Sequence, residues 1–148
     1  MRAAFDLHYA ALIRLCLALG EQPGDAEDIV QEAYVRAAPS LNQLQPGVVR
    51  AYLRRTALNI RHDRRRRAAR FRLPRGRDAV DHAGVIDQRE VLWNALSRLP
   101  DRQRACLVLR FYEDLPAREI ADLLGCSVGT VKSHTHRGLA RLRQEVER

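Results

Sequence analysis

The residues with the most pointed chemistry lie near the C-terminus, in the segment 117–139, AREIADLLGCSVGTVKSHTHRGL. Its spacing predicts two helices crossing at a tight turn. Ala121 is small enough for a close crossing, and Gly125 can take the positive φ that such a turn demands. Ser127 can cap the second helix at once, and Val131 anchors that helix in a core. Lys132, Ser133, His136 and Arg137 are then left on the outer face. A helix presenting such side chains fits the major groove of DNA and can read base edges. Each good bidentate contact is worth about 1–3 kcal/mol of base discrimination. From Ser127 to Arg143 the cations are Lys132, Arg137, Arg141 and Arg143, with no acid among them.

Other chemistries find no matching constellation. There is no paired-carboxylate or His/Asp/Glu metal cluster, no Gly-rich phosphate loop and no nucleophile motif. His134 and His136 stand two apart and face different ways on a helix, while His8, His62 and His82 lack ligand spacing, so no metal and no cofactor is expected. Cys16, Cys106 and Cys126 are far apart with no C-x-x-C pair. Reduced, buried thiols are expected, as in a cytoplasmic protein. No apolar run approaches the roughly 18 residues that span a bilayer. The N-terminal apolar stretch is broken by Asp6, His8 and Arg14 and reads as an amphipathic helix rather than a signal peptide.

At 148 residues the chain is one domain or two very small ones. Its 26 Lys+Arg against 18 Asp+Glu give a net charge of +8, and Lys132 is the only lysine. The charge is unevenly placed. Residues 50–77 hold 12 arginines against Asp63 alone, whereas residues 1–49 are net acidic. Two basic elements, one mid-chain and one near the C-terminus, point to a polyanionic partner, of which nucleic acid is the commonest.

The elements that must position these groups read as helices throughout. Phe5, Tyr9, Leu12, Ile13 and Cys16 form one helical stripe. A break follows at Gly20–Gly24, and Asp25 is placed to cap a second helix. That helix buries Ala26, Ile29, Val30, Ala33, Tyr34 and Ala37, and Pro39 should end it. Its other face carries Asp25, Asp28, Gln31, Glu32 and Arg36, an acidic surface better suited to a basic protein than to DNA. Residues 39–47 read as a polar loop with Asn42, Gln43 and Gln45. The third stripe is Val49, Tyr52, Leu53, Thr56, Ala57 and Ile60, with Arg50, Arg54, Arg61 and Arg65 on its outer face beside Asn59 and His62. Arg64–Arg67, Arg70, Arg72, Arg75 and Arg77 extend the basic run, and residues 73–84 read as a linker.

Helical pattern resumes near Val85, with Leu92, Trp93, Leu96 and Leu99 inward and Pro100 closing the element. Asp101 is placed to cap a helix through Tyr112 that is apolar on several sides and so should be the most buried of this half. Pro116 falls where a first-turn proline is tolerated. Ile120, Leu123 and Leu124 face inward from the next helix. The last helix runs to about Glu145 on Val128, Val131, Leu139 and Leu142. No stretch alternates as a strand would, so the fold is expected to be all-α.

Over almost its whole length the sequence resembles an extracytoplasmic-function sigma factor, the minimal two-domain bacterial initiation factor, and most of all the short ones common in actinobacteria. DAEDIVQEAYVRA at 25–37 resembles the family's second region, and AYLRRTALNIRHDRRRR at 51–67 its promoter-melting, minus-ten-reading helix. Residues 96–143 resemble its fourth region, with RLP, a central apolar helix and GTVKS in the family's order. The resemblance implies two small helical domains. A region 2-like bundle would span 1–72, a linker 73–84, and a region 4-like helix-turn-helix 85–148.

The resemblance also implies roles. Asp25, Asp28, Gln31, Glu32 and Arg36 would dock on a coiled coil of the polymerase β′ subunit, with Ile29 and Val30 packing behind. The loop 39–48 would capture a flipped base through Asn42, Gln43 and Gln45, at an extrusion cost of a few kcal/mol. Asn59 would lie near the same DNA, and Arg54, Arg61, Arg64 and Arg65 would hold phosphates. Tyr52 stands where the family has an aromatic residue, often Trp, although its own stripe makes it core. Lys132, Ser133, His136 and Arg137 would meet the minus-thirty-five element. Thr135 and His136 depart from residues usual at those positions. Implied partners are core RNA polymerase, through the β′ coiled coil and the β flap, promoter DNA, and an anti-sigma protein. The chain would be monomeric when free, cytoplasmic and nucleoid-associated on polymerase, with no membrane insertion and no catalysis of its own.

A stand-alone helix-turn-helix regulator would account for residues 117–143 but leave the acidic helix 25–37 and the arginine helix 50–67 idle. A nuclease would need the constellations already found missing.

Overall fold

A computed structural model describes residues 2–71 and 88–147. The expected linker 73–84, the helix start near Val85, Arg72, Arg75, Arg77 and His82 lie outside the described residues, as does the side chain of Phe5. Among the described residues there are seven α-helices, one π-helical turn and no strand. Two compact units divide them, one built on the first three helices and one on the last four.

In the first unit, α1 (Arg2–Ala18), α2 (Pro23–Leu41) and α3 (Pro46–Arg70) bury one stripe each. Leu12 and Cys16 of α1 meet Ile29 and Val30 of α2 and Leu53, Ala57 and Ile60 of α3. Ala26, Ala33 and Ala37 are fully buried. Their short side chains keep the core face of α2 nearly flat, which suits a close approach of α3. Tyr9, Ile13, Tyr34, Leu41 and Val49 close the rim of this core.

The helix ends differ from expectation. Gln22, not Asp25, is the N-cap of α2, because Pro23 takes the first helical position, where its missing N–H costs nothing. Asp25 falls within the first turn, where its charge favours the helix dipole. Pro39 does not end α2, which continues to Leu41. The proline forfeits one helical hydrogen bond near the very end, and Ala37 and Leu41, packed on the core, hold the last turn. Since α3 also starts on a proline, Pro46, the polar loop contracts to 42–45.

The second unit comprises α4 (Gln88–Ser97), α5 (Asp101–Leu107), a π-helical turn (Val108–Tyr112), α6 (Ala117–Leu124) and α7 (Val128–Val146). Leu96, Leu99 and Leu107 form a core against which Leu142 packs. Pro100 is the N-cap of α5, so Asp101 lies inside the first turn and accepts from Arg104 Nη2 at 3.0 Å. Cys106 to Leu109 are buried as expected, with Arg104 and Ala105 buried before them, but Phe111 and Tyr112 are exposed. The cause is the π turn, closed by Glu113 N donating to Val108 O at 3.1 Å. Its extra residue rotates Phe111 and Tyr112 off the buried side. Leu92, Trp93, Val128 and Leu139, expected to face inward, are likewise part-exposed. Pro116 is the N-cap of α6 and lies just before its first turn.

The α5–α7 crossing rests on Gly138, which the sequence did not single out. A Cβ there would meet Leu107 Cδ1 and Cγ at 3.2 Å and Gln103 Cβ at 3.4 Å. Leu107 is itself core and has nowhere to retreat. Gly138→Leu is therefore expected to destabilise the second unit by about 1–3 kcal/mol, read as a lowered thermal midpoint.

Candidate nucleic-acid interface

The helix-turn-helix forms as its residue types demand. Ile120 and Ala121 are buried on α6. Gly125 adopts φ 67°, ψ 40°, the left-handed conformation that reverses the chain. Cys126 N donates to Ala121 O at 3.1 Å, and Arg102 of α5 donates from Nη1 to the Leu124 carbonyl at 2.8 Å. These bonds satisfy the Ala121 and Leu124 carbonyls at the end of α6. Ser127 Oγ accepts from Thr130 N at 3.0 Å and shares a 2.8 Å hydrogen bond with the Thr130 hydroxyl. Val131 is buried on the next turn.

With Val131 inward, Lys132, Ser133, His136 and Arg137 are all exposed on one side of α7. A groove of about 430 Å³ runs along this side, lined by Lys132, His136 and Thr135 together with Arg110, Pro116 and Ala117. Arg110 was not legible as a site residue, since it lies inside an apolar run. The π turn brings it beside α7, where its Nη1 reaches Leu115 O at 3.4 Å. The Thr135 hydroxyl donates to Val131 O at 2.7 Å and so turns back onto its own helix.

In the first unit Asp25, Asp28, Gln31 and Arg36 are exposed along α2, with Glu32 half-buried among them. Glu32 pairs with Arg36 at 2.6 Å and with Arg64 of α3 at 3.6 Å. One carboxylate thus touches both the acidic face and the arginine helix. Asn42, Gln43, Gln45 and Asn59 are exposed, and Arg54, Arg64 and Arg65 are part-exposed.

Two residues need correction. Arg61 is 6 % exposed, not on the outer face. It stands one turn beyond Ala57 on the core side of α3, and its Nε pairs with Glu21 at 2.9 Å. Arg65 reaches the same carboxylate at 3.3 Å. Glu21 was read only as part of a chain break; no local pattern links it to residues forty positions later. Tyr52 is not core either. It is 37 % exposed, and its hydroxyl lies 3.4 Å from Ser40 Oγ. Leu53, expected on the same stripe, is fully buried.

Comparison with known proteins agrees with this geometry. The family model for sigma-70 region 2 matches residues 4–71, and that for sigma-70 region 4 matches 89–142. The RNA polymerase sigma-E factor of Streptomyces avermitilis is 37% identical over 144 residues, covering 93% of this chain and 79% of that one. The ECF RNA polymerase sigma factor SigL of Mycobacterium tuberculosis is 35% identical over 156 residues, covering 97% and 86%. Among solved structures, the sigma factor RpoE of Bartonella quintana, in complex with the anti-sigma factor NepR, shares the fold. Its TM-score is 0.75 at 22% identity, over 99% of this chain and 96% of that one. CnrH, solved with the cytosolic domain of CnrY, matches with a TM-score of 0.64 at 29% identity, over 97% and 84%. These findings define the class as sigma-70-type initiation factors. Within it, the chain belongs to the extracytoplasmic-function sigma factors of RNA polymerase.

Ser127 Oγ is the cap on which the start of α7 depends. Ser127→Ala is expected to cost about 1 kcal/mol, measured as a lower denaturation midpoint, while Ser127→Asp should retain most of it.

Proposed function

We propose that this sigma factor divides its work between its two units, the first within 1–72 and the second within 85–148, with 73–84 as linker. The second unit reads the minus-thirty-five element through Lys132, Ser133, His136 and Arg137, with Arg110 as an added phosphate contact at the edge of the same groove. The observation that supports this best is the exposure of those four side chains on one face of a helix whose opposite face is locked by Val131 and Gly138. Trp93 and Tyr112, edge to face at 6.3 Å, form an exposed apolar pair on the same unit, and Leu92 and Phe111, their chain neighbours, are exposed as well. A protein partner suits it better than DNA, and the β flap of polymerase is the partner we assign.

The first unit docks on the polymerase β′ coiled coil with Asp25, Asp28, Gln31, Glu32 and Arg36. It engages the minus-ten strand with Asn42, Gln43, Gln45, Arg54, Asn59, Arg64 and Arg65. Tyr52, exposed in the middle of this set, is a natural stacking platform for an unpaired base. Arg61 is assigned to the fold, holding α3 to Glu21. The protein acts by binding, without chemistry of its own, in the cytoplasm where polymerase works. An anti-sigma protein is its expected regulator, by analogy with the NepR complex of RpoE. No helix among the described residues is long and apolar enough to cross a membrane.

Two variants test the division. Asp28→Arg with Glu32→Arg should lower affinity for core polymerase at least tenfold with unchanged helicity; equal affinity would refute the docking face. Lys132→Ala with Arg137→Ala should leave core binding intact but reduce specific starts in run-off transcription of fragmented genomic DNA. Unaltered start sites and yields would remove those residues from promoter reading, and sequence-specific duplex binding without polymerase would favour the stand-alone regulator.

A further inference from the structure

Arg102 and Cys106 stand one turn apart on α5 and project from the same face. Arg102 uses that face to reach the end of α6, where it holds the Leu124 carbonyl at 2.8 Å. Two residues beyond that carbonyl is Cys126, between the left-handed Gly125 and the Ser127 cap. Arg102 thus ties the face of α5 that bears Cys106 to the end of α6, two residues before Cys126. The two sulfurs also feel one another. Burial pushes the Cys106 thiol up to about 11, charge on Cys126 adds to the rise, and the Arg102 guanidinium opposes it. Cys106 is buried and Cys126 is part-exposed. Cys126 is thus the more accessible of the two to a solute oxidant.

We propose that Cys106 and Cys126 are a redox pair that closes to a disulfide, tying the turn of the helix-turn-helix to α5. The oxidant is a hydroperoxide; hydrogen peroxide serves as the example. The Cys126 thiolate attacks one peroxide oxygen, the O–O bond breaks, and the departing hydroxide takes up a proton as water. Cys126 is left as a sulfenic acid. The Cys106 sulfur then displaces the hydroxyl from Cys126 sulfur, and the Cys106 proton leaves with it as a second water. Two thiols are oxidised to one disulfide, and one peroxide is reduced to two waters. A disulfide holds its Cβ atoms about 3.5–4.5 Å apart, so closure draws the turn onto α5. The recognition helix begins two residues after Cys126. The bridge therefore fixes the point from which that helix starts. Cys16 stands apart in the first unit, its thiol pushed up to about 12 chiefly by burial, and serves as an internal control.

The test uses the full chain, reduced, freed of reductant, treated with hydrogen peroxide, then denatured, alkylated and digested with trypsin. Cleavage isolates Cys106 in residues 105–110 and Cys126 in residues 119–132. The expected product is these two peptides joined with the loss of two hydrogens. It should separate on reduction with dithiothreitol, and the Cys16 peptide should remain alkylated. Cys126→Ser should abolish the joined peptide and leave Cys106 a free thiol. Cys106→Ala should let Cys126 proceed to the sulfinic acid. Absence of the joined peptide at every dose would overturn the pair, whether Cys126 ends as sulfinic acid, bridges two chains or stays unreacted. The readout is a mass and is independent of the DNA and polymerase roles assigned above.

Discussion

A positive φ at Gly125 is the requirement on which the second unit's surface hangs. An L side chain there would strain the backbone, and without the reversal α7 could not leave α6 within three residues. The neighbouring groups are arranged around that reversal. Arg102 satisfies the Leu124 carbonyl, Cys126 N returns to Ala121 O, and Ser127 caps the helix that follows. Once α7 starts there, Val131 can point only inward, and the side chains at 132, 133, 136 and 137 only outward. Gly138 then lets α7 lie directly on Leu107 of α5. The exposed face of α7, the one assigned to promoter DNA, is thus the remainder left by a set of packing demands.

The first unit solves a different problem, a long helix so rich in arginine that its charges repel along its whole length. Its apolar stripe is narrow, and Leu53, Ala57 and Ile60 carry most of the packing. Two carboxylates offset the repulsion. Glu21 takes Arg61 and Arg65, and Glu32 takes Arg36 and Arg64. Part-exposed pairs like these contribute only about 0–1 kcal/mol each, whereas the nearly buried Arg61 depends strongly on its partner. The second pair also has a consequence for function. Glu32 belongs to the face assigned to polymerase and Arg64 to the one assigned to promoter DNA, so a partner that claims either side chain changes the electrostatics of the other.

The π turn after α5 shows how a small backbone change redirects a surface. A regular helix through Tyr112 would bury Phe111 and Tyr112. One extra residue in the turn exposes them, sets Tyr112 against Trp93 and brings Arg110 to the groove beside Lys132 and His136. The apolar pair and the basic groove therefore both depend on the same i→i+5 hydrogen bond.

The sequence by itself determined which segments are helical, where the helix-turn-helix falls, and, although it misplaced Val128 and Leu139, that Val131 faces in while Lys132, Ser133, His136 and Arg137 face out. Those follow from local rules: periodic apolar positions, a glycine for positive φ and a serine cap. It also placed the acidic face of α2 and the basic run of α3, because charge is read directly from residue type. Tertiary structure alone decided the rest. Arg61 turns inward because Glu21, forty residues earlier, waits there, and Tyr52 turns outward because Leu53 takes the core position. Pro39 stays within its helix because Ala37 and Leu41 are held by the core. Gly138 matters only because Leu107 lies across from it, and Arg102 reaches the Leu124 carbonyl only because α5 lies beside the end of α6. Each of these depends on a partner distant in the chain, and no periodicity or capping rule within one segment encodes such a partner.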